Sequence, residues 1–227
     1  MGGFADGPRG LRFAIWVVDF DVGLRNLDLI MGAERRVVFD FINVAQGDAN
    51  LSQALIRDKR VTDELRDRFD RVICDSPAGI ERGSTLAMRY ADSAIVIANP
   101  EVSSVRDSDR IIGLLDSKTL KAETGEGIEK HLLLTRYDPA RAARGEMLSV
   151  EDVLDILSIP LLGIIPESQD VLKASNVGAP VSISSTTSAA AAAYIDAARR
   201  LCGVPVPMTR PTEKVSLLGR FFGRRAA

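Results

Sequence analysis

The chain has 227 residues, of which 46% are hydrophobic and 26% charged, so it is long enough for one α/β domain with a sizeable core. Its formal net charge of −2 at pH 7 excludes a strongly basic surface, and we expect no specific nucleic-acid partner. Two cysteines can form neither a disulfide framework nor a cysteine metal site, which favours a reducing cytosol. No apolar run reaches the roughly 18 residues of a membrane span, and the first fifteen residues lack the apolar centre of a secretory signal.

Five short apolar segments, each bounded by turn residues, are predicted to form strands. They are residues 13–19, 72–75, 93–98, 132–135 and 161–165. Their nearly continuous apolarity is typical of strands that are covered on both faces, as in a parallel sheet.

Helical patterns alternate with these strands at residues 104–115, 148–157 and 188–201. Ser149 is followed three residues later by Asp152, which resembles a capping box. The alternation predicts an α/β fold with a doubly wound, mostly parallel sheet and helices on both faces.

We therefore divide the chain into four parts. These are an unstructured or non-family N-terminus at 1–12, a domain at 13–203, a proline-marked linker at 204–212, and a separate helix at 213–227.

Acidic residues follow two of the predicted strands. Asp19 and Asp21 are one side-chain period apart, so both are expected on one side of the sheet end, and Asp75 ends the next strand before the turn 76–79. The carboxyl ends of parallel strands are where an α/β sheet holds a phosphate-bound metal. The alternative is that these carboxylates only cap helices and solvate loops.

Four sequence blocks, in the same order as in a known family, extend this interpretation. They are DFDVGLRNLDLIMG at 19–32, CDSPAGIE at 74–81, NPEVSSVRDSDR at 99–110 and LLLTRY at 132–137. These blocks resemble the MinD family, in the ParA/MinD branch of P-loop ATPases, and the resemblance runs from about residue 17 to the C-terminus. It implies a P-loop NTPase-like fold and an ATPase that forms a homodimer around ATP and Mg²⁺. It also implies a peripheral protein on the cytoplasmic face of the bacterial inner membrane, which recruits MinC, is regulated by MinE and places the division septum.

The resemblance also assigns roles to individual residues. Asp21 is the expected catalytic carboxylate of switch I, and the expected metal residues are Asp19 and Asp75. The expected nucleotide-binding residues, from the switch II turn and the site of the base, are Ser76, Pro77, Gly79, Thr135, Arg136, Pro166 and Glu167. Arg25 and Asn26 belong to the surface that the family uses toward MinE, and Asp107 and Asp109 to the surface toward MinC. For Asp107 and Asp109 the alternative is an ordinary solvated helix start, favoured by the positive end of the helix.

The family's phosphate loop, of the type Lys-Gly-Gly-x-Gly-Lys-Thr, is missing from this sequence. None of the six lysines follows a glycine, and Pro8 removes a backbone donor from the glycine-rich segment 7–10. Where the family has a further strand and helix, the chain has only residues 61–70.

This loss decides the expected affinity for ATP. Charge-assisted hydrogen bonds contribute roughly 1.5–3 kcal/mol each, so losing four or five exceeds the roughly 8 kcal/mol behind a micromolar complex. We therefore expect the chain as given to bind ATP poorly. The expected explanation of the missing loop is a truncated or misassigned gene model of a family member. The alternative is a non-catalytic MinD-like module that binds membrane and partner.

The C-terminal segment differs from the domain in composition, because it combines large apolar residues with several basic ones. Drawn as a helix, it places its apolar residues within an arc of about 160°. These residues are Val215, Leu217, Leu218, Phe221 and Phe222. The arc is flanked by Arg220 and Arg224, and Arg225 lies at its end. This pattern predicts an amphipathic helix on an anionic membrane surface, as the family resemblance also implies. The alternatives are a helix that docks on its own domain and a disordered basic tail.

Overall fold

The computed structural model describes residues 2–6, 12–19, 70–76, 82–185 and 187–212. Within these ranges six strands form two three-stranded sheets. The first sheet has the order β1-β2-β3 and contains β1 (Gly2–Asp6), β2 (Arg12–Asp19) and β3 (Arg71–Asp75). The second sheet has the order β4-β5-β6 and contains β4 (Ser93–Ala98), β5 (Glu129–Tyr137) and β6 (Leu161–Pro166).

All strand pairs except β1–β2 are parallel. The five predicted strands are therefore confirmed, with β5 longer than expected at both ends. Gly2–Asp6, which the sequence placed in an unstructured or non-family N-terminus, pair along their whole length with β2.

Eight helices are seen in the described part of the chain. They are α1 (Arg82–Arg89), α2 (Val102–Lys118), α3 (Leu120–Glu123), α4 (Pro139–Ala143), α5 (Val150–Leu157), α6 (Gln169–Asn176), α7 (Val181–Ser184) and α8 (Ala189–Leu201). The three predicted helices correspond to α2, α5 and α8. The predicted capping box is confirmed, since Ser149 accepts from the backbone N–H of Asp152 while the Asp152 carboxylate accepts from that of Ser149.

Helices pack on both faces of the second sheet at β5 and β6, whereas one face of β4 is exposed at Ile95 and Ile97, contrary to the expectation of strands covered on both faces. On one face, buried residues of β4 and β5 pack with α2 and α5 in the largest apolar cluster, which contains Leu132, Leu134, Val105 and Val153. On the other face, Leu133 and Leu162 pack against the alanine-rich side of α8. This arrangement of parallel strands between helices confirms the predicted α/β class.

Beyond α8, residues 204–212 contain neither helix nor strand. The predicted helix at 213–227 lies outside the described residues. Within the described ranges, each helix is too short or too polar to span a bilayer.

Candidate functional site

Two strand-end carboxylates occupy equivalent places in the first sheet. Asp19 is the register partner of Asp75, and each is the last residue of its strand. Because β2 and β3 are parallel, both residues stand at the same carboxyl edge. Carboxylate oxygens are ligands that Mg²⁺ prefers, so the shared edge makes these two residues candidates for a cation site. The described residues contain no cluster of three or more potential metal-binding side chains.

The turn after β3 is described only at its first position, where Ser76 is exposed. Several predicted site residues lie outside the described residues. They are Asp21, Arg25, Asn26, Pro77, Gly79 and the membrane-helix residues Val215, Leu217, Leu218, Arg220, Phe221, Phe222, Arg224 and Arg225.

A group of hydrogen-bonded residues lies at the carboxyl edge of the second sheet. The hydroxyl of the buried Thr135, two residues before the end of β5, donates to Asn99 Oδ1 at 2.9 Å, and Asn99 directly follows β4. The backbone N–H of Asn99 donates in turn to Ser104 Oγ of α2 at 3.0 Å. These contacts fix the ends of β4 and β5 against the first turn of α2. Asn99 was not among the predicted site residues, because only its place directly after a strand marks it in sequence.

Arg136 and Glu167 meet on the exposed side of the same edge. Arg136 Nε donates to Glu167 Oε2 at 3.1 Å, and the backbone N–H of Glu167 donates to Tyr137 O at 3.0 Å. Arg136 has φ 57°, in the left-handed region that a side chain with Cβ rarely adopts. Such backbone conformations occur often at ligand sites, where surrounding contacts hold them.

The four residues predicted to contact the base of the nucleotide therefore lie at the ends of two adjacent strands. Thr135 and Arg136 belong to β5, Pro166 ends β6, and Glu167 follows it. The structure brings Arg136 and Glu167 into contact, whereas Thr135 is buried and directed toward Asn99. An open edge with one guanidinium and one carboxylate can donate to and accept from a heterocyclic ligand.

The predicted partner residues lie on α2. Asp107 and Asp109 are both exposed, and Asp107 forms a long ion pair of 3.7 Å with Arg110. Ser108, between these two residues, and Val105, before them, are buried. Because the buried face is directed into the core, Asp107 and Asp109 remain available on the outer surface.

Individual relatives of known function, and not a family model, show which family the chain belongs to. No protein-family model matches it. The septum site-determining protein MinD of Neisseria meningitidis is 54% identical over 95% of this chain and 89% of its own length, and that of Escherichia coli K12 is 53% identical over 91% and 87%. This chain belongs to the MinD family. The match to the Neisseria protein covers 244 aligned positions, more than the 227 residues of the chain, so that relative carries residues inside the matched region that this chain lacks.

Solved MinD structures share the fold. The MinD of the MinC:MinD complex from Aquifex aeolicus superposes with a TM-score of 0.73 at 37% identity, covering 86% of both chains. The MinD of Pyrococcus horikoshii, solved with Mg-ADP, gives a TM-score of 0.69 at 25% identity and covers 83% of both chains. The P-loop NTPase-like fold expected from the resemblance is therefore confirmed.

Proposed function

We propose that this chain acts in placing the division septum, as a MinD protein held peripherally at the cytoplasmic face of the bacterial inner membrane. The observation that carries the proposal is an identity of 54% to a septum site-determining MinD over 95% of the chain. A homodimer that recruits the division inhibitor MinC, and is regulated by MinE, is the assembly we assign to it. The MinC:MinD complex of Aquifex aeolicus supports the first of these partners.

The nucleotide chemistry is assigned to the carboxyl edges of the two sheets. Asp19 and Asp75 would hold Mg²⁺ beside the phosphates and Asp21 would orient the attacking water. ATP is the cofactor expected from the family, and we expect this chain to bind it weakly because its sequence lacks the phosphate loop. When bound, Mg²⁺ would neutralise charge on the phosphate oxygens. Arg136 and Glu167, with the residues on either side of them, would contact the base. The Mg-ADP bound to the Pyrococcus horikoshii relative supports this cofactor class.

The amphipathic segment 213–227 is assigned to the membrane. One such helix binds lipid marginally, because the roughly 1–2 kcal/mol cost of ordering each residue offsets most of the gain from its apolar and basic side chains. Two helices on one dimer would gain about 10²–10⁴ in avidity, so dimerisation would control membrane residence.

A second candidate is a MinD-like module that binds membrane and partner without hydrolysing ATP. The observation that favours it is the sequence itself, in which no lysine directly follows a glycine and no phosphate loop is recognisable. In this case lipid binding would be independent of nucleotide.

Sedimentation with vesicles of phosphatidylglycerol and phosphatidylcholine separates the candidates. Binding that requires ATP and Mg²⁺, and that is lost in Asp75→Asn, supports the nucleotide-controlled protein. Equal binding with and without ATP supports the module. Loss of binding in Phe221→Ser and Phe222→Ser supports the membrane helix in either case, and failure of the parent chain to bind overturns both.

A cellular test addresses septum placement directly. The chain is expressed in bacteria that lack their own MinD, and the positions of their septa are measured. Restored mid-cell division is the result expected of the proposed function. Persistent division at the poles, with the protein present at normal level, would contradict it.

A further inference from the structure

Residues 204–212, which we call the strap, lie extended against the domain although the sequence predicted a linker. Residues 204, 206 and 208 are partly buried, whereas 205, 207 and 209 are exposed. This period of two is that of an extended chain with one side against a surface. The strap is therefore packed along the domain.

The strap begins at a Schellman motif that ends α8. The backbone N–H of Gly203 donates to Arg200 O, and that of Val204 donates to Arg199 O, each at 2.9 Å. Gly203 has φ +77°, which a residue without Cβ adopts at little cost. The chain is thereby turned away from the helix axis in a defined direction.

One guanidinium then joins the strap to the sheet. Arg200 donates from Nε to Val206 O and from Nη2 to Pro207 O, both at 2.9 Å. Its Nη1 donates to Leu162 O of β6 at 2.6 Å. Hydrogen bonds from a charged donor are roughly twice as strong as neutral ones, and the rigid fork of arginine directs three of them at once.

A second contact lies near the far end of the strap. Arg210 forms a hydrogen-bonded ion pair with Glu151, in the first turn of α5, and this contact lowers the pKa of the Glu151 carboxyl. Both side chains are more than half exposed, so the pair is screened by solvent and is the weaker of the two attachments. Together the two contacts fix where the strap ends, beside the start of α5.

We propose that Arg200 is a positioning residue that fixes the point at which the C-terminal segment leaves the domain. A fixed exit point sets the orientation in which the domain is held at an anionic lipid surface. The lipid part of this proposal rests on the proposed function, because the membrane role of 213–227 belongs to it. Released, nine residues of flexible chain would have an end-to-end distance of about 15–18 Å and would leave the orientation free.

The first experiment measures the strap without lipid. Nitroxide labels are placed at Thr212→Cys and Asp155→Cys in the full chain, with Cys74→Ser and Cys202→Ser, and the distance distribution is measured by pulsed electron resonance. Arg200→Gln is expected to broaden the distance distribution at least about twofold, because the released strap would behave as a flexible chain. Arg199→Gln is the matched control, because it removes an adjacent arginine whose partner is Asp196 of the same helix.

Two results would overturn the proposal that Arg200 fixes the strap. One is a distribution for Arg200→Gln as narrow as that of the parent, and the other is equal broadening in Arg199→Gln. Should Arg200→Gln fail to fold, Arg200→Lys keeps the charge and loses the three-way fork. Broadening in Arg200→Lys supports the proposal, whereas a narrow distribution overturns it.

The second experiment measures orientation on lipid. A fluorescent donor at Asp155→Cys, in the same cysteine-free background, reports energy transfer to acceptor headgroups in phosphatidylglycerol vesicles. We expect one transfer efficiency in the parent and a broadened range in Arg200→Gln, with the vesicle-bound fraction unchanged within about twofold. An unbroadened range overturns the orienting role. Failure of the parent to bind vesicles overturns the membrane function and this role together, while the label distances still decide whether Arg200 fixes the strap.

Discussion

Gly163 of β6 and Ala197 of α8 approach so closely that a Cβ on Gly163 would lie 3.0 Å from Ala197 Cβ. The same added atom would lie 3.2 Å from Leu133 Cδ1 on the neighbouring strand. The absence of a side chain at Gly163 therefore allows α8 to pack onto β6. Because Arg200 lies in the last turn of α8 and the strap follows that helix, this contact also determines where the strap lies.

We predict that Gly163→Ala lowers the free energy of unfolding by about 1–3 kcal/mol, because well-packed neighbours must shift to admit a methyl group. The measurement is urea denaturation followed by circular dichroism. Gly113→Ala in α2 is the matched control, since a Cβ there meets no atom within 4 Å. The control is expected to raise stability by about 0.5–1 kcal/mol, as alanine favours a helix interior over glycine. Equal effects of the two substitutions would contradict the close packing of α8 on β6.

Ser149→Ala should lower the free energy of unfolding by about 0.5–2 kcal/mol, because it removes the N-cap of α5. Hydrogen bonds from the Ser149 hydroxyl and backbone N–H lower the pKa of the Asp152 carboxyl. A carboxyl with a lowered folded-state pKa stabilises the fold above its unfolded pKa, and the contribution is lost as pH falls through the folded value. The penalty of Ser149→Ala should therefore shrink in strongly acidic buffer. A penalty that stays constant down to the acid transition would show that the capping box does not couple to this ionisation.

The sequence was informative where burial is regular. Strands β4 and β6 were predicted within one residue, because nearly every side chain in them is apolar and turn residues bound both segments, although Ile95 and Ile97 leave one face of β4 exposed. The α5 capping box was also readable, since it depends on two residues three positions apart. Helices α4 and α6 were missed, because each has eight residues or fewer and therefore shows too little of the helical period.

Contacts across the fold could not be read from the chain. Arg200 reaches Leu162, 38 residues away, and Thr135 reaches Asn99, 36 residues away, and neither separation has a local pattern. The left-handed backbone of Arg136 was equally hidden, because glycine is the usual sequence signal for it and position 136 has none. The strand-end position of Asp19 and Asp75 was predicted, whereas their direct register required the pairing of β2 with β3.

The backbone of Arg136 gives a prediction that separates strain from side-chain contact. Arg136→Ala and Arg136→Gly both remove the ion pair with Glu167, which is half exposed and contributes little. Only glycine also relieves the left-handed conformation, so we expect Arg136→Gly to be more stable than Arg136→Ala by about 1 kcal/mol. Thermal and urea denaturation of the two variants measure the difference. Equal stabilities would contradict backbone strain at this position.

The acidic surface of α2 gives a prediction about the partner. We expect Asp107→Asn with Asp109→Asn to weaken MinC binding about three- to tenfold, because the exposed carboxylates are available to cationic groups of a partner. The association is measured by surface-based kinetics with immobilised MinC at two salt concentrations. Screening should reduce the affinity of the parent and affect the variant less.

The matched control for this surface is Asp155→Asn, which removes another exposed carboxylate, on α5. Its net charge change is half that of the double variant, so Asp109→Asn alone is compared with it to equalise the charge. If Asp155→Asn weakens MinC binding as much as Asp109→Asn, the effect is one of overall charge and α2 has no special role. A selective loss in the α2 variant, with unchanged denaturation, would locate the MinC contact on the outer face of that helix.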